Sequence, residues 1–335
     1  MPLITVAIPT YRRLSMLRRA IESVFAQTCT DWEVVISDDE EPSAETWTFL
    51  ESLARSDARV RAVKNGDPHG APFNHNAALR SSRGEWIKIL HDDDVLKQNC
   101  LEVLSRIVKE RPSVFAVSCA CEKYIDGRLA ESFNRRDRAL LEQIDSTDAL
   151  LAMYMLDEAC WALPTQQLVH RSVVDAGVLF ERPCGIKTLY DSWFNARVHS
   201  RGAALVYNAP LVEWHQGQHE TTTSEVTEDD LTVEFLALRK LILSLLPRAV
   251  KRPDLRSVEG MVKLVRALKQ LRSMRIEGAI RSAASVRDAT SYRLALGWLL
   301  RQYRPRRFSS VSRTIIWRDE AEMNSAKSAR ICQFS

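Results

Sequence analysis

Three consecutive carboxylates, Asp92, Asp93 and Asp94, follow a short apolar run that begins at Trp86. Adjacent negative charges repel one another, so such a cluster is favoured where its members share a cation. Carboxylate oxygens are the ligands that Mg²⁺ and Mn²⁺ prefer, and bound Mg²⁺ commonly also contacts substrate phosphates. The triplet therefore predicts a divalent-metal site, and a solvated acidic turn is the alternative.

The elements predicted around the triplet belong to an α/β fold. In the first 125 residues, short apolar runs alternate with segments of helical periodicity, the pattern of right-handed βαβ units and a mostly parallel sheet. The predicted strands are Ile4–Ile8, Trp32–Ile36, Val60–Val63, Trp86–Leu90 and Phe115–Cys121, and the helices between them are Leu14–Gln27, Ser43–Ala54, Asn74–Ser82 and Cys100–Val108.

Polar residues follow three of these strands. Pro9, Thr10 and Tyr11 come after the first strand, Asp38 and Asp39 after the second, and the acidic triplet after the fourth. Ligands of parallel sheets bind at the carboxyl ends of the strands, so we expect these residues to line one edge. No GxGxxG follows the first strand and no GxxxxGK[ST] occurs, which excludes the usual dinucleotide and P-loop sites.

Charge is distributed unevenly along the chain. Residues 231–335 are predicted to be helical and carry 22 Lys and Arg against 8 Asp and Glu, whereas residues 1–230 carry 25 against 35. We therefore expect a first domain over residues 1–230, with halves 1–125 and 126–230, followed by a basic helical region. The excess of cations predicts an anionic partner.

An anionic membrane surface or a phospholipid-linked molecule is the expected partner of the basic region, rather than nucleic acid. Apolar and basic residues alternate at helical spacing in residues 258–274 and 292–307, as in interfacial helices, with Trp298 as a predicted membrane anchor. A helical subdomain with a solvated basic face is the alternative.

No apolar run reaches the roughly 18 residues that span a bilayer, and we expect no secretory signal. The seven cysteines form no CxxC pair, which indicates reduced thiols and a cytoplasmic protein, peripheral at the inner face of the membrane.

Four segments of the chain resemble the inverting glycosyltransferases of family 2, which have the GT-A fold: Val6–Arg13, Val34–Asp39, Asn76–Ile87 and Leu90–Leu96. Their order and spacing agree across residues 3–125, and a looser likeness continues from Arg171 to Trp193. The chain departs from the family at three positions. His91 stands where Asp is frequent, His75 where Arg or Lys is usual, and Tyr190 where Glu is common. The metal motif is therefore either Asp92 with Asp94, or His91 with Asp93.

This resemblance implies transfer of a sugar from a nucleoside-diphosphate donor, most commonly a uridine one, to a hydroxyl acceptor such as a growing polysaccharide or a lipid-linked glycan, with inversion. Mg²⁺ or Mn²⁺ would neutralise the leaving diphosphate, and Asp191 would be the general base. The implied metal ligands are Asp92, Asp93, Asp94, His215 and His219. The implied nucleotide-sugar-binding residues are Pro9, Thr10, Tyr11, Arg13, Asp38, Asp39, His75, Asn76 and Asp92.

Each of these residues has a plainer structural interpretation. Asp191 would stabilise a helix start through the helix dipole, Asn76 would cap a helix, and Asp38 and Asp39 would form an Asx turn. Two histidines would be surface residues: His215 and His219. Three tryptophans that could line the acceptor site would instead be core residues: Trp161, Trp193 and Trp214.

Two other functions compete with sugar transfer. A nucleotidyltransferase would also use acidic residues beside an α/β sheet, but it would normally have a glycine- and lysine-rich loop after the first strand, and residues 11–14 contain no glycine. A non-catalytic sugar- or lipid-binding module would not need the carboxylates of Asp92–Asp94 and Asp191.

Overall fold

The computed structural model describes residues 2–39, 44–132, 139–155, 162–216, 227–272, 274–303 and 312–317. The strands in these residues are β1 Ile4–Thr10, β2 Trp32–Asp38, β3 Val60–Lys64, β4 Trp86–Ile89, β5 Val95–Leu96, β6 Ala116–Ile125, β7 Arg128–Ser132, β8 Leu141–Ile144, β9 Gln167–His170, β10 Ala204–Gln216 and β11 Thr314–Trp317. The helices are α1 Leu14–Phe25, α2 Ala44–Ser56, α3 Ala71–Ser81, α4 Cys100–Glu110, α5 Ser146–Tyr154, α6 Arg171–Asp175, α7 Tyr190–His199, α8 Glu228–Leu245, α9 Leu255–Arg272, α10 Ile276–Ala284 and α11 Ala289–Tyr303.

A single mixed sheet joins these strands in the order β11-β8-β10-β6-β9-β4-β1-β2-β3, with β5 beside β10 and β7 beside β6. Strands β4, β1, β2 and β3 are parallel, and each is connected to the next in sequence by a helix. The antiparallel strand β9 lies between β4 and β6 and joins the first half of the chain to the second. The predicted α/β fold with a largely parallel sheet and a helical C-terminal region is confirmed.

Most predicted elements are found within a few residues of their expected ends. Helix α3 begins at Ala71, three residues before the predicted start, because Pro72 fits the first turn of a helix. Strand β10 is irregular, because its register against β6 shifts between Tyr207 and Val212. The predicted start of α2 at Ser43 lies outside the described residues. Among the described helices, none is both long and apolar enough to span a bilayer.

Gly84 brings β4 close to β1. A Cβ atom at this position would lie 2.5 Å from the backbone nitrogen of Thr5, so only glycine allows this approach. The Gly84 backbone N–H also donates to the Thr5 hydroxyl at 2.7 Å. The start of β4 is therefore anchored, and the acidic triplet at its other end is carried to the edge of β1.

The sheet separates two apolar cores. Side chains alternate across β1, so Ile4, Val6 and Ile8 pack with α1 and α4 while Ala7 faces the opposite core. That opposite core contains α3, α5 and α7 and also the C-terminal helices. Trp298 of α11 is part of it and is only 4% exposed, so the prediction of Trp298 as a membrane anchor is wrong.

Candidate functional site

The carboxyl ends of β1, β2 and β4 meet where the sequence predicts. The Thr10 hydroxyl donates to Asp92 Oδ2 at 2.8 Å, and the Thr10 carbonyl accepts from the backbone N–H of Asp39 at 3.1 Å. The same carbonyl accepts from the Asn74 side chain at 2.9 Å. These contacts hold the ends of the first two strands against the acidic triplet, which confirms the expected edge.

Asp92 faces the turn after β1. Besides the Thr10 hydroxyl, it accepts from the backbone N–H of Tyr11 and from Arg13 Nη1, both at 3.4 Å. Burial, together with the charge of Asp93, raises the pKa of Asp92 to about 6, although Arg13 and Thr10 oppose this change. Arg13 also pairs with Asp93 at 2.8 Å, so one guanidinium bridges two carboxylates.

His91, Asp93 and Asp94 form a group that could hold a metal, since their ligand atoms lie within 4.8 Å of one another. Asp94 is fully buried, and burial and the charge of Asp93 raise its pKa. Its Oδ1 accepts from the backbone N–H of His215, and the nearby Thr165 hydroxyl acts to lower its pKa, while Oδ2 has no partner at hydrogen-bond distance among the described residues. A buried carboxylate oxygen without a donor, beside other carboxylates, fits a divalent cation. Metal binding by Asp92, which lies outside this group, stays a prediction.

His215 approaches the triplet through its backbone. Its imidazole lies 3.3 Å from the carboxylate of Glu213 and stacks on Tyr124 with ring centres 4.9 Å apart. Burial lowers the pKa of the His215 side chain. His219 and Trp161 lie outside the described residues, so their roles stay predictions.

A bridge of rings connects the triplet to the predicted base. His75 Nε2 lies 3.1 Å from His91 Nε2, and the His75 ring lies 4.5 Å from Phe180 and 6.4 Å from Tyr190, centre to centre. Burial, with the nearby His91, lowers the pKa of His75 to about 3, so this imidazole is neutral at physiological pH. Because Tyr190 immediately precedes Asp191, these ring contacts lead from the metal candidate to the residue before the base candidate.

Asp191 lies in the first turn of α7. Its Oδ1 accepts from the backbone N–H of Ser192 at 2.6 Å. Burial raises its pKa above the ordinary value, and the charge of Glu234 on α8 contributes in the same direction. A buried carboxylate with a raised pKa is suited to accept a proton.

Glu234 was not predicted to take part in the site. Its Oε2 accepts from the backbone N–H groups of Lys187, Thr188 and Leu189 at 2.8–3.1 Å, and from the Thr188 hydroxyl at 3.1 Å. Glu234 is 3% exposed. One carboxylate of the C-terminal region thereby holds the segment that leads into Asp191.

Lys88 was also missed. It is fully buried on β4, and its Nζ donates to the backbone carbonyls of Ile89 and Thr165. Its positive charge acts to lower the raised pKa of Asp94. The sequence signal was a lysine within an otherwise apolar strand. Such a strand is buried, and lysine is almost never fully buried unless it is paired, so this position could have been identified as a paired buried charge.

Two predicted nucleotide contacts have other partners. The Asn76 amide pairs with the Phe180 backbone, donating at 2.7 Å and accepting at 2.8 Å. Asn76 lies inside α3, so the alternative of a helix cap is wrong. The Asp39 carboxylate accepts from Asn65, from the Gly70 backbone and from His69 at 2.5–3.0 Å. Both residues position segments around the site, and their contact with nucleotide stays a prediction.

Other predicted site residues vary in exposure. Pro9 and Asp38 are buried at the ends of β1 and β2, whereas Tyr11 is 45% exposed. Trp193 is 7% exposed in the core, which favours the core interpretation, and Trp214 is partly buried.

The model of the family described as Glycosyl transferase family 2 matches residues 5–152. These residues form a family 2 glycosyltransferase domain. The family 2 domain is similar to a Campylobacter jejuni GalNAc(5)-diNAcBac-PP-undecaprenol beta-1,3-glucosyltransferase, with 30% identity over 155 residues, 46% of this chain and 49% of the relative. It is also 30% identical over 112 residues to the Escherichia coli UDP-Glc:alpha-D-GlcNAc-diphosphoundecaprenol beta-1,3-glucosyltransferase WfgD, covering 33% of this chain and 43% of the relative. The matches thus span less than half of either relative.

The fold similarity extends beyond the family 2 domain. S. aureus TarS in complex with UDP-GlcNAc superposes with a TM-score of 0.58 over 84% of this chain and 90% of that one, at 14% identity. This likeness covers a larger share of the chain than the family 2 domain does, and it agrees with the predicted GT-A fold.

Proposed function

We propose that this protein transfers a sugar from a nucleoside-diphosphate sugar, with uridine as the nucleoside, to a hydroxyl of a lipid-linked glycan with inversion. The observation that carries the proposal is the set of ring contacts from His91 through His75 to Tyr190, which links the metal candidate to the residue before the base candidate. The UDP-glucose donor of the Escherichia coli relative supports the donor class, and the undecaprenol-linked acceptors of both bacterial relatives support the acceptor class.

The residues of this chain divide the reaction between them. A divalent cation held by His91, Asp93 and Asp94 would neutralise the leaving diphosphate as a Lewis acid. Arg13 pairs with both Asp92 and Asp93, so it places a second positive charge beside the metal candidate. Asp191 would remove the acceptor proton during attack on the anomeric carbon. Attack opposite the leaving group produces inversion in one displacement.

Thermal unfolding in the presence of Mn²⁺ with a panel of nucleotide sugars tests the donor class. The correct donor binds the folded state and should raise the melting temperature. That donor should then be consumed only with a lipid-linked glycan present, and nuclear magnetic resonance of the product should show the opposite anomeric configuration. Release of sugar 1-phosphate would indicate nucleotidyl transfer instead, and donor binding without turnover would indicate a binding module.

We also propose that the protein attaches peripherally to an anionic membrane through an apolar tip, defined as Leu271, Met274, Ile276 and Ile280. These side chains are 48–80% exposed, and Ile276 and Ile280 lie on one face of α10. Between residues 255 and 303 the chain has 10 Lys and Arg against 3 Asp and Glu. An exposed apolar cluster within a basic region provides both interactions that hold a helix on a membrane surface. These are burial of apolar side chains and attraction of basic residues to anionic lipid.

Replacing Ile280 with Glu should reduce sedimentation with anionic vesicles, because a charge replaces an apolar contact with the acyl region. Binding by the unaltered protein should weaken as salt rises, since charges are screened over roughly 10 Å at 0.1 M salt. Leu129→Glu is the matched control, because Leu129 is 55% exposed on β7 and outside the basic region. Equal and negligible binding to neutral and anionic vesicles would contradict this proposal.

A further inference from the structure

The two histidines that replace usual family residues beside the acidic triplet contact each other. His75 and His91 meet edge to face, with ring centres 5.2 Å apart and planes at 87°, and their Nε2 atoms are 3.1 Å apart. In the family pattern, a cation at position 75 and a carboxylate at position 91 would occupy these places. An imidazole pair thus replaces what would be an ion pair, so the two departures form one feature.

Hydrogen bonding assigns the proton positions in this pair. His75 Nδ1 lies 2.6 Å from the carbonyl oxygen of Ala71, which can only accept, so Nδ1 carries the hydrogen. A neutral imidazole has one N–H, and His75 Nε2 is therefore an acceptor. Its partner, His91 Nε2, must then donate. His91 Nδ1 is left without a hydrogen and with a free lone pair.

This lone pair faces the buried carboxylate of Asp94. His91 Nδ1 lies 4.0 Å from Asp94 Oδ2, which exceeds hydrogen-bond distance. Asp94 Oδ2 is itself buried without a donor among the described residues. Two atoms bound to one cation at about 2.1 Å each can be up to about 4.2 Å apart. The separation therefore suits a shared cation, and the His91 side chain is 32% exposed, which gives an ion access.

We propose that His91 Nδ1 binds the divalent cation together with the carboxylates of Asp93 and Asp94, and that His75 is the positioning residue that holds His91 in the required tautomer. The inference rests on the metal site of the proposed transferase and adds to it the coordinating atom of His91, a positioning residue and a metal selectivity. Mg²⁺ prefers oxygen ligands, whereas imidazole binds transition metals more readily. The site should therefore select Mn²⁺ over Mg²⁺.

Pulsed electron paramagnetic resonance of bound Mn²⁺ tests the ligand directly, because a coordinated imidazole nitrogen modulates the signal. With Mn²⁺ alone as the probe, the unaltered protein should show this modulation. His91→Asp should still bind Mn²⁺ but lose the modulation, and its preference for Mn²⁺ over Mg²⁺ should fall. His215→Gln is the matched control and should keep the modulation. Modulation that persists in His91→Asp, or disappears in His215→Gln, would overturn the assignment of His91.

The role of His75 has a separate measurement. His75→Phe removes the acceptor and should weaken Mn²⁺ binding about 10–100-fold, the usual effect of removing a group that orients a metal ligand. His75→Gln restores an acceptor oxygen and should recover most of the affinity, which a loss of folding would not allow. Unchanged Mn²⁺ affinity in His75→Phe would overturn the positioning role. Absence of Mn²⁺ binding by the unaltered protein would remove the metal site itself, whereas bound Mn²⁺ without nitrogen modulation would overturn only this inference.

Discussion

Replacement of Asp191 with Asn is expected to lower turnover about 10²-fold or more while donor binding stays nearly unchanged, because the amide cannot accept the acceptor proton. The substitution keeps the size of the side chain and one oxygen for the Ser192 backbone N–H. Steady-state transfer rates and donor affinity from calorimetry would separate the two effects. Weakened donor binding with normal turnover of bound donor would assign Asp191 to the donor site instead.

The pH dependence gives the same residue a second signature. Only the ionised carboxylate is a base, and burial raises the pKa of Asp191 above 3.8. Turnover should therefore be present above this raised pKa and be lost as pH falls through it. The part of this acid limb that belongs to Asp191 should disappear in the Asn variant, whereas a limb from Asp92, whose pKa is raised to about 6, should remain. Asp148→Asn is a matched control, since Asp148 also lies in the first turn of a helix, and it tests whether loss of a helix-dipole contact alone explains the result.

Replacement of Asp93 with Ala should abolish metal-dependent donor binding and transfer. Asp93 belongs to the metal candidate group, and its charge raises the pKa values of both neighbouring aspartates. Removing a ligand should cost at least the roughly 10–100-fold in metal affinity that is typical of losing a supporting residue. Donor binding measured at increasing Mn²⁺ concentration would quantify the loss.

Asp175→Ala provides the comparison for this variant, because Asp175 is an exposed carboxylate at the end of α6. It should bind donor and metal as the unaltered protein does. Full transfer activity by Asp93→Ala at limiting Mn²⁺ would contradict the assignment of Asp93 as a metal ligand.

The contact of Thr10 with Asp92 could be predicted because it follows from local patterns. Alternating strand and helix periodicities imply a parallel sheet, and the carboxyl ends of its strands must share an edge. The pairing of Asn76 with Phe180 could not be predicted in this way, because it joins side chain and backbone 104 positions apart. Periodicity reports which face of an element is apolar, but it does not identify the distant segment that a polar side chain contacts.

The error at Trp298 has a related cause. An apolar stripe on a basic helix is required both for packing on a protein core and for lying on a membrane, so the pattern alone does not distinguish them. In the structure, Trp298 packs into the core that α11 shares with α5 and α7. The exposed side chains of the apolar tip, such as Met274 and Ile280, lie nearer the turn between α9 and α10.

The Glu234 carboxylate links the order of the C-terminal helices to the placement of the segment that leads into Asp191. Three consecutive backbone N–H groups before Asp191 depend on this one side chain of α8. Partial opening of α8 would release that segment while leaving the strands that hold the donor edge intact. Gradual warming should therefore abolish sugar transfer at a lower temperature than the one at which donor binding is lost.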